Sequence, residues 1–526
     1  YWNSEDKNME ENMARIAADG FNSLILVVPW REFQPSEVGS YFNERAFARL
    51  DQVMDCAERH GLGVVLRLGY VWDYLGATET PKRFAAITKD DGPERKLWLE
   101  YSKKVYETAA AHENFWGGFI TWEDFWNYTE NMGRDMAMSS RIRMAKDCGY
   151  QSYLEENYTL DQVRGFYGPK LETFEQVYIP YKDHPSAELF YEFYDHFLTE
   201  LTTETQAVFP GLSLEIRADG DIVYDGMGGK KYYSHSATYP CPGADYAALM
   251  YSVSMGQENT GNKISASTAL EAMTRNLDSI YAAAGKPLYI EQLLYMDSTE
   301  AFSHNTQVED EQVGEFVRNL APVLSGRTNG YGLWVYRNYV NNAVYNSQFA
   351  LDQEGWSFSG DSRIEERNGS KAAVIGKKGS ISQDLDGRIP GSSRIHVEFY
   401  AEAENGGASV TVRLGGDEQT IHVGEGKTYR MEFESLPRYT FSITAERRIH
   451  VDDIRVYTYE QDGRIYERDG SAGDLAGDFR TLNGELAAGS APAGGMAAGT
   501  PDAGEVHSGQ QPGEMTAAEA PSAAAE

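Results

Sequence analysis

The chain has 526 residues, which is more than one ordinary domain contains and enough to bury a large apolar core. It carries 47 Lys and Arg against 80 Asp and Glu, so its formal net charge is −33. This excess of negative charge argues against nucleic acid and anionic membrane surfaces as partners, because both select basic proteins. No apolar run approaches the ~20 residues of a membrane-spanning helix. Three cysteines without a CxxC spacing argue against a disulfide framework or a cysteine-bound zinc.

Strand-like and helix-like segments alternate over residues 1–343. Amphipathic helices are predicted in MEENMARIAADG, which ends at Gly20, in NERAFARLDQVMDCAERHG, in PERKLWLEYSKKVYETAAAH, and over residues 187–208, 264–284 and 308–325. Apolar runs predict seven buried strands, in FNSLILVVPW, LGVVLRLGY, FWGGFITWED, FPGLSLEIRADGD, ADYAALMYSVSMG, GKPLYIEQLLY and NGYGLWVYRNY. This alternation implies a parallel sheet, and polar or aromatic strand ends favour a barrel that functions at that face. We therefore predict an α/β fold, a (β/α)8 TIM barrel, and expect its first strand just before Tyr1.

A different pattern begins at about residue 344. Segments such as SRIHVEFYAEAE, ASVTVRLGG and TYRMEFES alternate apolar and polar residues between turns rich in Gly, Asp and Ser. They predict an all-β jelly-roll sandwich over residues 344–460. Residues 461–526 are rich in Ala, Gly, Pro, Glu and Ser, with few large apolar side chains. Such a composition predicts a low-complexity, disordered tail.

Two predicted strands run directly into a glutamate. GGFITWEDFWNYTE, residues 117–130, carries an apolar run into Trp122, Glu123 and Asp124, and Glu291 follows KPLYI. In a closed barrel both strand ends open into one cleft, and a pair of carboxyl groups there is the arrangement that cleaves a glycosidic bond. Trp122 would form a wall of that cleft, and Asp124 would support it. A loop carboxylate on the surface is the alternative for Glu123, and its pairing with Glu291 favours the catalytic interpretation.

The chain resembles clan A glycoside hydrolases, and within them most closely the family 42 β-galactosidases. The resemblance lies in MEENMARIAADGFNSLILVVPWREFQPSEVGSYFN, AFARLDQVMDCAERHGLGVVL, YQSYLEENYTLDQVRGFYGPKLETFEQVYIP and GKPLYIEQ, which cover most of residues 1–340. It implies that Glu123 is the general acid/base, that Glu291 is the nucleophile, and that the anomeric configuration is retained. No metal or organic cofactor is required, because both carboxylates act directly.

The sequence departs from the family pattern in two places. The asparagine that usually precedes the acid/base and binds the sugar 2-hydroxyl is replaced by Trp122, which predicts a substrate other than a simple galactoside. Some members bind zinc through several cysteines after the acid/base. Only Cys148 lies near that place, so no structural zinc is expected.

Further side chains are candidate contacts to a sugar. The full set of predicted substrate-binding residues is Trp30, Arg67, Trp72, Trp122, Asp124, Tyr251 and Trp334. By the resemblance, Trp30 and Trp334 end strands where a tryptophan lies against the sugar, and Tyr251 would hydrogen-bond the nucleophile. Core packing is the alternative for all three. Arg67 needs a buried partner, which is either Glu291 or another carboxylate in the barrel. Trp72, with Tyr74, either stacks on sugar or packs its own loop.

The sequence as a whole predicts a retaining glycoside hydrolase that acts on β-linked glycosides, oligosaccharides or polysaccharides. The alternatives are an endo-acting β-glycanase and a non-catalytic glycan-binding protein built on the same barrel. The sandwich resembles carbohydrate-binding modules, or it serves as a purely structural accessory domain. The chain begins at Tyr1 without a visible signal peptide, and we expect residues upstream of it and an extracellular or cell-surface location. Its oligomeric state is left open.

Overall fold

The computed structural model describes residues 2, 8–35, 41–69, 87, 92–121, 137–181, 184–218, 221–253, 262–296, 305–367, 369–386, 388–389, 394–404, 406–434 and 438–489.

The first part of the chain forms a parallel sheet. The strands up to residue 333 are β1 (Ser23–Val28), β2 (Gly63–Leu68), β3 (Phe115–Ile120), β4 (Ser213–Arg217), β5 (Asp221–Tyr224), β6 (Lys230–Tyr233), β7 (Ala247–Ser252), β8 (Lys263–Ile264), β9 (Leu288–Leu294), β10 (Gln307–Val308) and β11 (Thr328–Leu333). Seven of them pair in the order β1-β2-β3-β4-β7-β9-β11, all parallel, whereas β5 pairs with β6 and β8 with β10. The seven predicted strands are confirmed, because continuous apolar runs suit a sheet that is covered on both faces.

Helices alternate with these strands on the outside of the sheet. They are α1 (Met9–Ala18), α2 (Trp30–Phe33), α3 (Glu44–Arg59), α4 (Pro93–Ala109), α5 (Met138–Asp147), α6 (Tyr150–Asn157), α7 (Leu160–Tyr167), α8 (Ala187–Gln206), α9 (Ala266–Ala284), α10 (Val313–Arg318) and α11 (Ala321–Leu324), with 3-10 turns at Phe174–Gln176, Ser236–Thr238 and Asp310–Gln312. The cap Ser265 accepts a hydrogen bond from the Thr268 N–H, and Gly285 ends α9 in the left-handed conformation. The helix predicted over 308–325 is interrupted, because Pro322 at the start of α11 has no N–H to continue it.

The sheet curves into a nearly closed barrel with its own interior. A compact group of inward-facing side chains, the interior cluster, consists of Val65, Phe119, Tyr246, Ala248 and Tyr289, with Ile25 and Trp116 packed against it. The two edge strands approach each other at Gly332, where a Cβ atom would lie 2.4 Å from Ile25 Cδ1 and 2.8 Å from the Glu291 carbonyl oxygen. A side chain larger than hydrogen at position 332 would therefore displace the Ile25 side chain and clash with the backbone of β9.

The later strands form the predicted β-sandwich, except for the first and the last of them, which pair with each other in a separate two-stranded sheet. They are β12 (Tyr339–Val340), β13 (Ser357–Ser359), β14 (Arg363–Arg367), β15 (Ser370–Ile375), β16 (Ser380–Asp384), β17 (Arg394–Ala403), β18 (Ala408–Leu414), β19 (Asp417–Val423), β20 (Lys427–Glu434), β21 (Thr440–Ala445), β22 (Ile449–Tyr457) and β23 (Glu460–Gln461). Two antiparallel sheets, β13-β16-β21-β18-β19 and β14-β15-β22-β17-β20, enclose one apolar core. On β17 the buried Ile395, Val397 and Phe399 alternate with outward residues, as the period of a half-buried strand requires.

A helix that follows the sandwich returns to the barrel. This helix, α12 (Ala476–Gly489), buries Phe479 and Leu482 in the same cluster as β7, β9 and α9 to α11. Its Asn483 accepts a hydrogen bond from the Tyr331 hydroxyl of β11 at 2.6 Å and donates one to the Asp19 carbonyl at 2.9 Å. Residues 461–489 thus differ from the disordered tail expected from composition. Of this range, α12 together with Ile465, Tyr466 and Leu475 packs on the barrel, whereas residues 490–526 lie outside the described part of the chain.

The three cysteines, Cys56, Cys148 and Cys241, are buried free thiols. None of the helices in the described residues combines the length and apolar character needed to cross a membrane.

Candidate active site

A layer of polar side chains lies inside the barrel next to the interior cluster. This polar layer consists of Arg67, Thr121, Glu215 and Glu291, whose exposed fractions are 2%, 0%, 0% and 3%. Arg67, Thr121 and Glu291 each follow a member of the interior cluster by two residues, and the members are Val65, Phe119 and Tyr289 respectively. Because side chains two residues apart point to the same face of a strand, these three share the face of the interior cluster. Four polar groups in an apolar interior must satisfy one another, since a buried polar group without a hydrogen bond is costly.

Arg67 connects the members of the polar layer. Its Nη2 donates to Thr121 Oγ1 at 2.7 Å and to Glu215 Oε2 at 3.1 Å, and the Thr121 hydroxyl donates to the same Glu215 oxygen at 2.8 Å. Its Nη1 donates to Gln292 Oε1 at 3.0 Å and lies 3.9 Å from Glu291 Oε2. One guanidinium on β2 therefore joins β3, β4 and β9 across the barrel.

Strand β9 is irregular at Glu291. In the pairing with β7, Leu249 is opposite Ile290 but Met250 is opposite Gln292, which leaves Glu291 as an extra residue. The pairing with β11 also shifts between Tyr331 and Leu333. Successive side chains of a regular strand point to opposite faces, whereas here Glu291 and Gln292 both reach Arg67. Bulges of this kind re-aim side chains and are frequent next to active sites.

Tyr289 lies on the other side of Glu291 along β9. Burial raises the pKa of the Tyr289 phenol well above its usual value, and the negative charge of Glu291 raises it further. Tyr289 therefore stays protonated at neutral pH. A buried carboxylate beside a guanidinium can act as a nucleophile at an electrophilic carbon or accept a proton.

The structure places Arg67 and Glu291 together, as the sequence predicts, but it adds a closer carboxylate. Both partners proposed for Arg67 are present, since Glu215 forms the hydrogen bond and Glu291 lies slightly farther away. Sequence reasoning missed Glu215, Thr121 and Gln292. The signal for Glu215 was a charge inside the apolar run SLEIR, which has the same meaning as Arg67 inside GVVLRL.

Trp30 is a member of the apolar core. Its indole is fully buried, donates from Nε1 to Gln34 Oε1 at 2.8 Å, and packs edge-on against Trp98 with ring centroids 5.3 Å apart. A ring without an exposed face has no surface for a sugar. Core packing, the alternative left open by the sequence, describes this position.

Tyr251 faces away from the barrel interior. It belongs to the apolar cluster between the sheet and the outer helices, and its hydroxyl forms a hydrogen bond with Asn276 of α9. Ala248 on the same strand faces inward, so Tyr251, three residues later, faces outward. The predicted hydrogen bond to Glu291 is thus replaced by core packing.

Trp334 directly follows β11 and is half-buried. Its ring packs edge-on against Tyr339 at a centroid distance of 5.6 Å, and the backbone N–H of Trp334 donates to the Leu293 carbonyl at 3.4 Å. Its predicted contact with a sugar stays a prediction. Four predicted site residues, Trp72, Trp122, Glu123 and Asp124, lie outside the described residues.

Two groups of side chains among the described residues have the composition of a metal site. They are Glu10 with Cys56 and His60, and Asp55 with Glu58 and His112. Both involve α3 on the outside of the barrel, and Glu10 already forms ion pairs with Arg59 and His60. Neither group includes a member of the polar layer.

No protein-family model matches the chain, and no curated protein matches it. Among solved structures, the β-glycosidase BGL167 is 13% identical, with a TM-score of 0.37 over 63% of this chain and 76% of that one. GH5_18 from Streptomyces cattleya in complex with GlcNAc is 15% identical, with a TM-score of 0.39 over 63% of this chain. The match covers 65% of the GH5_18 chain, slightly under two thirds of its length. TmCBM61 in complex with β-1,4-galactotriose is 18% identical, with a TM-score of 0.19 over 22% of this chain and 99% of that one. At these scores and identities the similarity carries no argument about the family, activity or substrate of this chain.

Proposed function

We propose that the chain is a retaining glycoside hydrolase of the clan A type that cleaves β-linked glycosides, oligosaccharides or polysaccharides. One observation carries the proposal. Glu291 is buried inside a parallel barrel, at a bulge in the middle of β9, and lies 3.9 Å from the Arg67 guanidinium. Strand β9 continues to Leu294, so the sequence expectation that Glu291 ends its strand is wrong, but bulges re-aim side chains and are frequent next to active sites.

In the proposed reaction, the Glu291 carboxylate attacks the anomeric carbon while Glu123 donates a proton to the leaving oxygen. The glycosidic bond breaks and an ester between the sugar and Glu291 forms. A water then attacks the same carbon, Glu123 takes up its proton, and the Glu291 carboxylate is released. Arg67 contributes positive charge beside Glu291 in the free enzyme.

The role of Glu123 rests on the sequence. It is two residues after Thr121, whose hydroxyl contacts both Arg67 and Glu215 in the polar layer. The same proposal includes a likeness to the family 42 enzymes, a sugar-binding role for the sandwich over residues 344–460, and an extracellular or cell-surface location. Each of these is supported by sequence patterns alone.

The experiment is a hydrolysis screen of the whole chain on aryl β-glycosides and β-linked oligosaccharides, with the anomeric configuration of the product followed by NMR. We expect hydrolysis with retention, loss of turnover in Glu291→Gln, and unchanged thermal unfolding in that variant. Glu315→Gln, an exposed carboxylate on α10, is the matched control and should behave as the wild type.

Two results would contradict the proposal. Inversion of configuration would exclude Glu291 as a nucleophile, since inverting enzymes activate a water instead. Saturable binding of glycans without any hydrolysis would favour the non-catalytic glycan-binding alternative.

A further inference from the structure

Arg67 is shared between two buried carboxylates that come from different strands. Glu215 of β4 is fully buried, Glu291 of β9 is 3% exposed, and Arg67 itself is 2% exposed. Solvent therefore screens none of these charges effectively, and their mutual distances decide how the positive charge of Arg67 is divided.

Arg67 interacts more closely with Glu215 than with Glu291. Arg67 Nη2 is within hydrogen-bonding distance of Glu215 Oε2, at 3.1 Å, and Thr121 reinforces that oxygen with a further hydrogen bond at 2.8 Å. The second amino group, Nη1, forms its hydrogen bond with the Gln292 amide oxygen at 3.0 Å, and Glu291 lies beyond hydrogen-bonding distance at 3.9 Å. Charge-assisted hydrogen bonds are markedly stronger than ion pairs at longer range, so the guanidinium is held mainly towards β4.

We propose that Glu215 is a positioning residue for the candidate site, which holds the Arg67 guanidinium and thereby limits how far Arg67 neutralises Glu291. Its consequence for catalysis rests on the proposed function, because a nucleophilic carboxylate that is paired too closely with a cation is less reactive. It does not depend on the identity of the sugar.

The groups around Glu291 allow this effect to be isolated. Among the described residues, Arg67 from β2 lies 3.9 Å from Glu291, Tyr289 from its own strand interacts with its charge, and Glu215 lies across the guanidinium. The adjacent strand β11 contributes Gly332, which has no side chain, and Arg217 continues β4 beyond Glu215. Removing the charge of Glu215 should leave Arg67 closer to Glu291 and remove a negative charge from the same interior. Both changes make it easier to ionise Glu291.

The test is the titration of Glu291 in the whole chain labelled with carboxyl-13C glutamate, with the Glu291 signal assigned by its absence from Glu291→Gln. In Glu215→Gln, which nearly conserves shape, we expect the midpoint of the Glu291 titration to fall by about one pH unit. Thr121→Val is the comparison variant, because it removes a hydroxyl that contacts both Arg67 and Glu215 but leaves every charge in place, and it should shift the midpoint by clearly less than Glu215→Gln does. If Glu215→Gln does not fold, Glu215→Asp withdraws the carboxylate from Arg67 by one methylene and should give a smaller shift in the same direction.

The NMR readout requires no turnover, so it separates this inference from the proposed function. For an active enzyme, the acidic limb of kcat/KM should move to lower pH in Glu215→Gln, with kcat changing more than KM. An unchanged Glu291 midpoint in the folded Glu215 variant, or an equal shift in Thr121→Val, would overturn the inference and reduce Glu215 to a structural residue.

Discussion

Replacing Phe479 by alanine should weaken the barrel, although Phe479 follows the sandwich in the chain. Its side chain is fully buried, with ring centroids 5.4 Å from Tyr295 and 6.5 Å from Phe21. Phe→Ala changes at such sites cost about 3–5 kcal/mol, because the lost burial is added to the cost of a cavity. This is a large share of the roughly 5–15 kcal/mol by which folded domains are stable.

The assay for Phe479→Ala is urea unfolding followed by tryptophan fluorescence and circular dichroism. The control is Glu485→Ala on the exposed side of α12, which should change the free energy of unfolding by less than about 0.5 kcal/mol. A chain that ends at Asp474 should lose stability as Phe479→Ala does, whereas one that ends at Gly489 should not. If Phe479→Ala and Glu485→Ala were equally stable, α12 would not be part of the barrel wall.

Three further predictions concern charge, catalysis and specificity. Although burial opposes ionisation, hydrogen bonds from Arg468 and Tyr457 lower the pKa of Glu398 to about 2. The stability that Glu398 contributes is therefore fully present above the unfolded value of roughly 4.3, and is lost as the pH falls towards 2. The difference in unfolding free energy between wild type and Glu398→Gln should shrink over that range, and a difference that is constant from pH 7 to pH 2.5 would contradict this sign. Glu123→Ala should slow turnover least for substrates with good leaving groups, because these need little protonation. Added azide should restore the rate as a glycosyl azide forms. Failure of azide to restore the rate would argue against Glu123 as the acid/base. By the resemblance to the family 42 enzymes, Trp122 replaces an asparagine that binds the sugar 2-hydroxyl. We therefore expect kcat/KM to rise with the length of a β-linked oligosaccharide, and a high value on a simple aryl galactoside without such a rise would contradict this expectation.

The barrel strands could be predicted because burial on both faces leaves a direct signal in the sequence. Runs such as SLILVV and GVVLRL have no polar alternation, and both form strands of the parallel sheet. The position of Arg67 inside such a run correctly indicated a buried partner. What the sequence did not contain was the identity of that partner, because β2 and β4 are separated by more than a hundred residues and meet only when the barrel closes.

It was harder to predict from the sequence to which face of the sheet a side chain points. Tyr251 was judged by its place at the end of a strand, but its face depends on parity along β7, and Ala248 fixes that parity. At Glu291 regular alternation fails, because the bulge brings two successive residues to the same side of the strand. A bulge depends on register with the neighbouring strands, which a single sequence does not reveal.

The helix α12 was missed because composition was averaged over a long segment. Residues 461–526 contain few large apolar side chains in total, but Leu475, Phe479, Leu482 and Leu486 are spaced to lie on one side of a helix. Three of them are buried, and Leu486 packs partly against the same cluster. Four apolar residues with helical spacing are sufficient to dock a helix when the barrel already provides the apolar surface on which they pack.

Trapping of the covalent intermediate would identify the nucleophile, which we propose to be Glu291. An activated 2-deoxy-2-fluoroglycoside of a sugar that the enzyme hydrolyses should inactivate it, and mass spectrometry of the digested protein should find the fluorosugar on the peptide that contains Glu291. We expect one label per chain at Glu291 and none in Glu291→Gln. A label on Glu215 or on another carboxylate, with Glu291 unmodified in an inactivated enzyme, would contradict it.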